Sequence, residues 1–584
     1  MTGGDLIAEV LVKQGVEHIF TLCGGHISPI LVSSKQRGIR IVDVRDEVTA
    51  AFAADAVSRL TGVPGVAAVT AGPGVTNTIT AIKNAQMAQS PLVLLGGATG
   101  TILKGRGSLQ DIDQMSLFEP HVKWMASASK VKHLVPMVER AFEEARLGVP
   151  GPVFVECPVD LLYDESLVRD MYGVGPEAKA PKSLPEKALR WYLNFHVNGL
   201  FGGKEKHSPS PPPAVPVPEV GSGDLKAVTK ALRSARCPVA LIGSQATLRV
   251  DRIDAVADAV DRLGIPVFLS GMARGLLGAE SDIQLRHKRR LALKDADLVL
   301  LFGVPCDFRL EYGDHIPRRA RLVSVNLSDI DLMKNRKPQI PILADPGTAL
   351  IQLADALEAG GGWERKDRRT DEATQALYER NAARDEDIQS RGDEAVEYVN
   401  PIRLFQELDK ILPDDSILVA DGGDFVATAS YILRPRGPLR WLDPGVFGTL
   451  GVGGGFAVGA KAVRSAAEVW LIWGDGSAAY SLAEFDAFAR HGLPVIALIG
   501  NDAGWTQIAR EQVEILEDDC AVVLEYSDYH VVAEGYGGVG LKLERPEDVP
   551  RILKEAQDIA RSGRPVAINC LIGKTDFRKG SISM

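Results

Sequence analysis

The sequence contains no Cys-x-x-Cys pair, no excess of basic residues and no long apolar run. Its six cysteines are scattered and mostly stand beside apolar runs, which predicts buried thiols rather than a disulfide framework or a zinc site. A net charge of −10 argues against a nucleic-acid partner, because polyanions repel an acidic protein. No stretch of about eighteen apolar residues occurs, so we expect no membrane partner and a cytoplasmic location.

What is present is an ordinary globular composition, with 45% apolar and 24% charged residues in a chain of 584. This length predicts roughly three or four domains. Short apolar runs alternate with helical spacing along most of the chain, and this alternation predicts an α/β fold of doubly wound parallel sheets. The predicted strands are 17–22, 39–44, 66–70, 91–95, 150–156, 238–242, 267–269, 298–302, 322–326, 416–420, 468–473 and 494–499.

Two segments interrupt the alternation: the proline-rich 208–218 and the charged, glycine-led 361–397. An aromatic segment, Trp191 to Phe195, precedes the prolines. We favour a helix packed on its own chain for that segment, with contact to a membrane or another subunit as the alternative. The predicted divisions are an N-terminal domain 1–178, a linker 179–220, a central domain 221–360, a connector 361–398 and a C-terminal domain 399–584.

A strand-helix-strand unit from Trp473 to Trp505 organises the C-terminal domain. Its first strand ends in Gly474-Asp475-Gly476-Ser477, helical spacing covers 481–490, and its second strand leads to Asp502. Carboxyl ends of parallel strands meet at one sheet edge, where open α/β sheets bind ligands. Glycines let the backbone approach a phosphate, and carboxylates hold Mg²⁺. We therefore predict a phosphate and magnesium site, with a surface turn of another Rossmann-like fold as the alternative.

A second carboxylate, Glu47, stands shortly after the predicted strand 39–44 and precedes an alanine-rich helix. Favourable interaction with the helix dipole is its alternative interpretation. Gly72-Pro73-Gly74 closes the strand after it, and a glycine series runs from Gly445 to Gly455 in the C-terminal domain.

Together these segments resemble the thiamine diphosphate (ThDP) decarboxylases and carboligases over nearly the whole chain. Asp475 and Asp502 match the diphosphate-binding motif, and Glu47 followed by Ala50, Ala54 and Asp55 matches the signature of the activating glutamate. The resemblance implies three doubly wound parallel-sheet domains: an N-terminal pyrimidine-binding domain, a central domain and a C-terminal diphosphate-binding domain with a closing tail.

The resemblance also implies roles for individual residues. Glu47 would hydrogen-bond the aminopyrimidine, the carbonyl of Gly448 would accept from its amino group, and Leu450 would wedge under the cofactor. Asp475, Asp502 and the carbonyl of Gly504 would bind Mg²⁺. Other expected cofactor contacts are Pro73, Asn77, Gly422, Gly423, Asp424, Gly474, Gly476, Ser477, Trp505 and Thr506.

Position 502 departs from the family pattern, which usually has Asn where this chain has Asp502. A second carboxylate adds negative charge beside a diphosphate. We therefore expect tight metal binding and cofactor binding that depends strongly on Mg²⁺.

Within this superfamily, segments 21–29, 436–445, 500–508 and 575–582 are similar to the 2-hydroxyacyl-CoA lyases, and we expect a soluble bacterial relative. The resemblance implies cleavage of a 2-hydroxyacyl-CoA, including branched 2-hydroxyisobutyryl-CoA, to formyl-CoA and an aldehyde or ketone, and the reverse condensation. We expect His26 and Gln110 to handle the substrate's hydroxyl and carbonyl oxygens.

A coenzyme A site is expected in the central domain, where the basic run 285–290 could equally be a solvated helix start. The expected coenzyme A contacts are Met272, Arg274, Arg289 and Arg578. A bound ADP or coenzyme A in this domain is a related expectation. The tail around Phe577 and Arg578, with Trp505, is expected to close over the substrate, with a frayed terminus as the alternative.

In this family, Glu47 and Asp475 would act on one cofactor across a subunit interface. We therefore expect a homodimer as the smallest active unit, and a homotetramer as the full assembly. Two alternatives stay open: an acetolactate synthase, which joins 2-oxo acids and normally holds FAD, and a non-catalytic scaffold on the same fold.

Overall fold

The computed structural model describes residues 1–203, 208–363 and 369–579. Parts of the predicted linker, connector and tail, including 580–582, therefore lie outside the described residues. The chain divides into two compact units, Met1–Val215 and Pro216–Met584, and each is described by itself.

The first unit contains one parallel sheet in the order β2-β1-β3-β4-β6-β5. Its strands are β1 (His18–Leu22), β2 (Arg40–Asp43), β3 (Gly65–Val69), β4 (Leu92–Ala98), β5 (Trp124–Ser127) and β6 (Pro152–Pro158). Its helices are α1 (Gly3–Lys13), α2 (Ser28–Gln36), α3 (Glu47–Thr61), α4 (Pro73–Thr76), α5 (Ile79–Met87), α6 (Gln114–Phe118), α7 (Leu134–Arg146), α8 (Glu165–Met171) and α9 (Leu184–Phe201).

The second unit begins with a five-stranded sheet in the order β11-β10-β9-β7-β8. The strands are β7 (Pro238–Ile242), β8 (Val267–Leu269), β9 (Leu298–Phe302), β10 (Arg321–Asn326) and β11 (Ile340–Leu343). The accompanying helices are α10 (Ser222–Ser234), α11 (Ile253–Leu263), α12 (Arg289–Asp295), α13 (Asp329–Leu332), α14 (Pro346–Ala359) and α15 (Gln375–Arg391).

The same unit ends with a six-stranded sheet in the order β13-β12-β14-β15-β17-β16. Its strands are β12 (Ile417–Ala420), β13 (Trp441–Leu442), β14 (Val469–Gly474), β15 (Val495–Asn501), β16 (Val539–Leu543) and β17 (Val566–Leu571). Its helices are α16 (Pro401–Ile411), α17 (Asp424–Ile432), α18 (Val452–Val463), α19 (Asp475–Ser481), α20 (Phe485–Arg490), α21 (Thr506–Leu516), α22 (Tyr529–Gly535) and α23 (Val549–Arg561).

The strands of all three sheets pair in parallel, as the register of their neighbours shows. Strands such as β4, β6, β9 and β15 are buried along their whole length. Helices cover both faces of such a sheet, so its strands need continuous apolar runs rather than alternating ones. The predicted α/β fold of doubly wound parallel sheets is confirmed.

The helix predicted over 481–490 is broken in the structure. α19 begins at Asp475, directly after β14, and a 3₁₀ turn at Leu482–Glu484 separates it from α20. Ser477 stabilises the first turn of α19, because its Oγ accepts a hydrogen bond from the backbone amide of Gly474 at 3.1 Å. The helix therefore points its N-terminus at the sheet edge where Asp475 lies.

Two of the six cysteines contradict the prediction that all are buried. Cys23 and Cys520 are exposed, whereas the other four are buried. Cys23 follows β1 at the turn into the glycines, and Cys520 lies between α21 and α22, outside the strands. An apolar neighbour in sequence does not bury a residue that falls just beyond a strand end.

The aromatic segment of the predicted linker belongs to α9, a helix of eighteen residues. Its C-terminal end is buried through Val197, Leu200 and Phe201. Trp191 and Phe195 stack on each other with ring centroids 5.8 Å apart and remain exposed. None of the helices in the described part of the chain is both long and apolar enough to cross a membrane.

Candidate active site

The strand order reverses direction between β1 and β3 in the first sheet and between β12 and β14 in the third. Strands that diverge in this way send their following helices to opposite faces and leave a crevice beyond their carboxyl ends. The predicted catalytic and cofactor-binding residues lie in segments that follow strands of these two sheets, so each sheet positions its own group of side chains. We describe these groups as the N-terminal cluster (His26, Glu47, Asn77 and Gln110) and the C-terminal cluster (Asp421, Asp424, Leu450, Asp475 and Asp502).

Glu47 is the first residue of α3 and is buried. Asp46 caps this helix, because its side chain accepts a hydrogen bond from the Val48 amide at 3.0 Å. The amide of Asn77 donates to Glu47 Oε2 at 3.0 Å. A β-carbon at Gly74 would lie 3.3 Å from Glu47 Oε1, so the missing side chain leaves room beside the carboxylate.

His26 and Gln110 approach the same region from other strands. His26 Nδ1 lies 3.1 Å from Thr70 Oγ1 at the end of β3, and burial lowers the pKa of the imidazole. His26 is therefore neutral at neutral pH. Gln110 has a positive φ of 63°, and a β-carbon at Gly72 would lie 2.9 Å from its carbonyl oxygen. The segment Gly72-Pro73-Gly74 thus contacts the backbone of Gln110 at one end and the side chain of Glu47 at the other.

Asp475 and Asp502 form the acidic part of the C-terminal cluster. The Asp475 carboxylate accepts from the Gly476 amide at 2.8 Å and the Gly504 amide at 3.1 Å. Asp502 Oδ2 accepts from Thr506 Oγ1 at 2.5 Å. Burial and then the charge of Asp502 raise the pKa of Asp475 to about 7, and burial also raises the pKa of Asp502. Two such carboxylates favour a bound cation.

The donor set fits a hard divalent ion such as Mg²⁺, which prefers oxygen ligands and shares them with phosphates. Within residues 1–203, 208–363 and 369–579, no group of three or more His, Cys, Asp or Glu side chains could hold a metal. The two carboxylates would therefore need further oxygen ligands from the backbone, such as the predicted Gly504 carbonyl, and from a phosphate. The ring of Trp505 covers this turn, since a β-carbon at Gly476 would lie 2.6 Å from it.

Leu450 lies against Gly422, where an added β-carbon would be 2.4 Å from Leu450 Cδ2. Gly448, two residues earlier, has a left-handed φ of 65°. The Asp421 carboxylate accepts from the Gly451 amide at 3.0 Å and the Gly453 amide at 2.6 Å, which fixes the chain directly after Leu450. Burial raises the pKa of Asp421 to about 7.

Sequence reasoning missed Asp421 as a site residue, although it directly follows β12 just as Asp475 follows β14. Its neighbours Gly422, Gly423 and Asp424 were predicted as cofactor contacts. Gly423 has a φ of 104°, and Asp424 forms an ion pair with Arg510 at 2.8 Å. Arg510 was also missed: its side chain, only 15% exposed, lies on α21, where no local signal in the sequence marked it.

A cavity of about 650 Å³ in the second unit, which we name the cationic cavity, is lined by a large excess of basic side chains. Among the described residues that line it are seven arginines and two lysines but one carboxylate, Asp576. The basic residues are Arg274, Arg286, Lys288, Arg289, Arg290, Arg384, Arg391, Arg434 and Lys579.

The innermost guanidinium groups make hydrogen bonds to backbone carbonyls. Arg274 donates to Ser430 O at 3.1 Å, Arg286 to Leu433 O at 2.6 Å and Arg289 to Arg309 O at 2.8 Å. Burial lowers the pKa of all three groups, that of Arg286 to about 10. Arg274 Nε is buried without a hydrogen-bond partner. Buried cations in this state favour a bound anion.

Two of the four predicted coenzyme A contacts, Arg274 and Arg289, line the cationic cavity. Met272 is buried outside its lining, with its amide donating to Ser244 Oγ at 3.1 Å. Arg578 lies over the ring of Tyr431 at 5.2 Å, and that ring lines the cavity. Arg384 and Arg434 were missed, because they come from α15 and from the segment after α17, far from the basic run 285–290.

Comparison with protein families identifies the class of protein. Residues 1–117, 225–353 and 421–570 match the N-terminal TPP binding domain, the central domain and the C-terminal TPP binding domain of thiamine pyrophosphate enzymes. The chain belongs to this family, and its cofactor is thiamine diphosphate, which is the same compound as thiamine pyrophosphate. The predicted superfamily is confirmed.

Individual relatives narrow the assignment. A protein of Danio rerio named 2-hydroxyacyl-CoA lyase 2 is 50% identical over 589 residues, covering 100% of this chain and 93% of the relative. The protein of that name in Homo sapiens is 47% identical over 592 residues, covering 100% and 92%. The acetolactate synthase large subunit IlvG of Mycobacterium tuberculosis is 32% identical over 575 residues, covering 98% and 96%. The predicted resemblance to the lyases, with acetolactate synthase more distant, is confirmed.

Proposed function

We propose that this protein is a 2-hydroxyacyl-CoA lyase, which cleaves a 2-hydroxyacyl-CoA to formyl-CoA and an aldehyde or ketone and catalyses the reverse condensation. The names of relatives about 50% identical over the whole chain support the reaction. The observation that supports the proposal in the structure is the cationic cavity, because coenzyme A carries phosphates that guanidinium groups bind.

Bound thiamine diphosphate supplies the carbon nucleophile and the electron sink of this chemistry. In our proposal, Glu47 holds the aminopyrimidine by a hydrogen bond, and Asn77 orients the Glu47 carboxylate. Leu450, whose position Asp421 fixes through the chain after it, would contact the bound cofactor. The turn Gly474–Ser477 and Asp424 receive the diphosphate end, together with Asp475 and Asp502 and one Mg²⁺.

The substrate's 2-hydroxyl group loses its proton as the bond between its carbon and the acyl carbon breaks. Neutral His26 is suited to accept this proton, because burial lowers its pKa and its Nδ1 is engaged by Thr70. The acyl carbon gains a proton in turn and leaves as the formyl group of formyl-CoA. The amide of Gln110 would donate to the thioester carbonyl oxygen.

The phosphates of coenzyme A would bind in the cationic cavity, with Arg274, Arg286 and Arg289 as the buried contacts. Each charge-assisted hydrogen bond lost there should weaken substrate binding by about 10- to 100-fold. We expect Arg289→Gln to raise KM for the thioester by this factor with little change in kcat, whereas Arg319→Gln, an exposed arginine outside the lining, should leave KM unchanged. Equal effects of the two substitutions on KM would contradict the proposal that coenzyme A binds in the cavity.

The N-terminal cluster of one copy and the C-terminal cluster of another would share each cofactor, so a homodimer is the smallest active unit. Assembly into a homotetramer and a cytoplasmic location stay predictions from the resemblance and the composition. A bound ADP in the central domain and closure of the tail around Phe577 and Arg578 are part of the same proposal.

The test is the set of products formed from 2-hydroxyacyl-CoA thioesters, including 2-hydroxyisobutyryl-CoA, with ThDP and Mg²⁺. Formyl-CoA and a carbonyl compound are expected, and Glu47→Gln should lose about 10²- to 10⁴-fold in rate while still binding ThDP. Acetolactate from pyruvate, no thioester cleavage and a yellow protein carrying FAD would instead establish an acetolactate synthase. ThDP binding without either activity would favour the scaffold.

A further inference from the structure

Gln110 lies on a segment that is largely exposed, which we name the Gln110 loop (residues 99–113). Leu103 and Leu109 are 44% and 82% exposed. The loop has its own internal hydrogen bonds, between Thr99 and Ser108 at 2.6 Å and from the Gly105 amide to Asp111 at 2.6 Å. Such contacts shape the loop but do not determine where it sits against Gly72.

A buried carboxylate, Glu156, ties this loop to the sheet. Glu156 lies near the end of β6 and is 0% exposed. Its Oε2 accepts from Lys104 Nζ at 2.7 Å and from Ser127 Oγ at 2.5 Å, and its Oε1 accepts from Gln114 Nε2 at 3.1 Å. Lys104 lies within the Gln110 loop, and Gln114 directly follows it.

Gln114 extends the connection to the strand ends beside Glu47. It is 2% exposed, and its Nε2 also donates to Gly97 O at 3.1 Å on β4. Its Oε1 accepts from the Gly72 amide at 2.9 Å. One side-chain amide therefore joins the end of β4, the Glu156 carboxylate and the glycine against which Gln110 lies.

We propose that Gln114 and Glu156 are positioning residues that hold the Gln110 loop against Gly72 and so place the Gln110 amide for catalysis. A buried carboxylate destabilises the fold unless both of its oxygens accept hydrogen bonds. Two of the three donors to Glu156 belong to this region: Lys104 lies in the loop, and Gln114 directly follows it. The part of this inference that concerns catalysis rests on the role proposed for Gln110, whereas the part that concerns the loop does not.

The first measurement is independent of activity. In the full-length protein loaded with ThDP and Mg²⁺, Gln114→Leu should speed hydrogen exchange across residues 99–113 and trypsin cleavage at Arg106 by about tenfold or more. Gln406→Leu is the matched control, since Gln406 is also buried and donates to Ile388 O at 2.9 Å, far from the loop in sequence. Unchanged exchange in Gln114→Leu would overturn the proposal.

A charge swap separates positioning from general damage. Gln114→Glu sets two carboxylates face to face and should release the loop, and Glu156→Gln should do so more weakly. In the double variant, Glu at 114 still accepts from the Gly72 amide, and Gln at 156 can donate to it. The double variant should therefore recover at least part of the loop's protection relative to Gln114→Glu alone. No recovery would show that packing, and not this hydrogen bond, holds the loop.

The catalytic part is tested by kinetics. Gln114→Leu should lower kcat for thioester cleavage by about tenfold or more while the ThDP affinity changes by less than about threefold. Equal losses in Gln114→Leu and Gln406→Leu would mean damage to the fold. A wild-type protein with a protected loop but no lyase activity would reject the proposed function and leave the loop's attachment standing.

Discussion

Asp502 places a second carboxylate beside Asp475, where the family usually has Asn. Burial raises the pKa of both groups, so a divalent cation that offsets their charge should bind even without a diphosphate. We expect the ThDP-free protein to bind Mn²⁺, and Asp502→Asn to weaken this binding by about tenfold. Mn²⁺ electron paramagnetic resonance measures it directly, and identical titrations of the two proteins would contradict the expectation.

The Asp421 carboxyl group makes the free energy of unfolding depend on pH. The folded carboxyl holds its proton to about pH 7, whereas the unfolded one releases it near its ordinary value of 3.8. Its contribution to stability is therefore fully present below about pH 4 and is lost as the pH rises through about 7. We expect Asp421→Asn to reduce the fall in unfolding free energy between about pH 5 and pH 8 by about 2 to 3 kcal/mol.

Urea unfolding at those two pH values, followed by tryptophan fluorescence, checks this prediction. Asp414→Asn serves as the control, because Asp414 is an exposed carboxylate only seven residues earlier in the chain. The prediction fails if both variants show the wild-type difference between the two pH values.

At the scale of the element, the position of Glu47 depends on α3, because Glu47 lies in the first turn of this helix and Asp46 caps that turn. The Asp46 side chain satisfies the Val48 amide, which has no partner within the helix. Asp46→Ala should lower the unfolding free energy by about 1 kcal/mol, and Asp46→Asn, which retains the cap, by a few tenths at most. Urea midpoints of the two variants give the comparison, and equal midpoints would show that the cap adds no stability.

The strands were the most predictable elements, because their apolar runs are long, continuous and bounded by glycines. β9 and β7 begin and end where the sequence predicts. Asp475 could be found because it directly follows β14, and Glu47 because it begins the helix after β2. The break between α19 and α20 was harder to predict, because the sequence 481–490 keeps helical spacing across the 3₁₀ turn. Local periodicity does not reveal where a helix changes its axis.

The cationic cavity could be predicted only in part, for a different reason. Arg274 and Arg289 lie in segments that the sequence singles out, but Arg384 and Arg434 join them from α15 and from the chain after α17. More than a hundred residues separate Arg274 from either. Proximity of this kind is created by tertiary packing, and a single sequence carries no trace of it.

At the scale of the whole molecule, the proposed sharing of each cofactor between two copies predicts complementation between inactive variants. On that proposal, Glu47→Gln and Asp475→Asn would each disable one half of every site. After mixing, dissociation and reassociation, random pairing should restore about a quarter of the wild-type activity, because half of the dimers carry one intact site. Activity no greater than that of the separate variants would show that each site is built from one chain.

The cationic cavity has a further consequence for the life of the protein in a cell. Repulsion among its positive charges opposes folding, and a bound polyanion relieves that repulsion. On the proposed function, the empty chain opens more often and is degraded sooner than the loaded chain. The pool of coenzyme A thioesters would then set how much of the protein persists as well as how fast it turns over substrate.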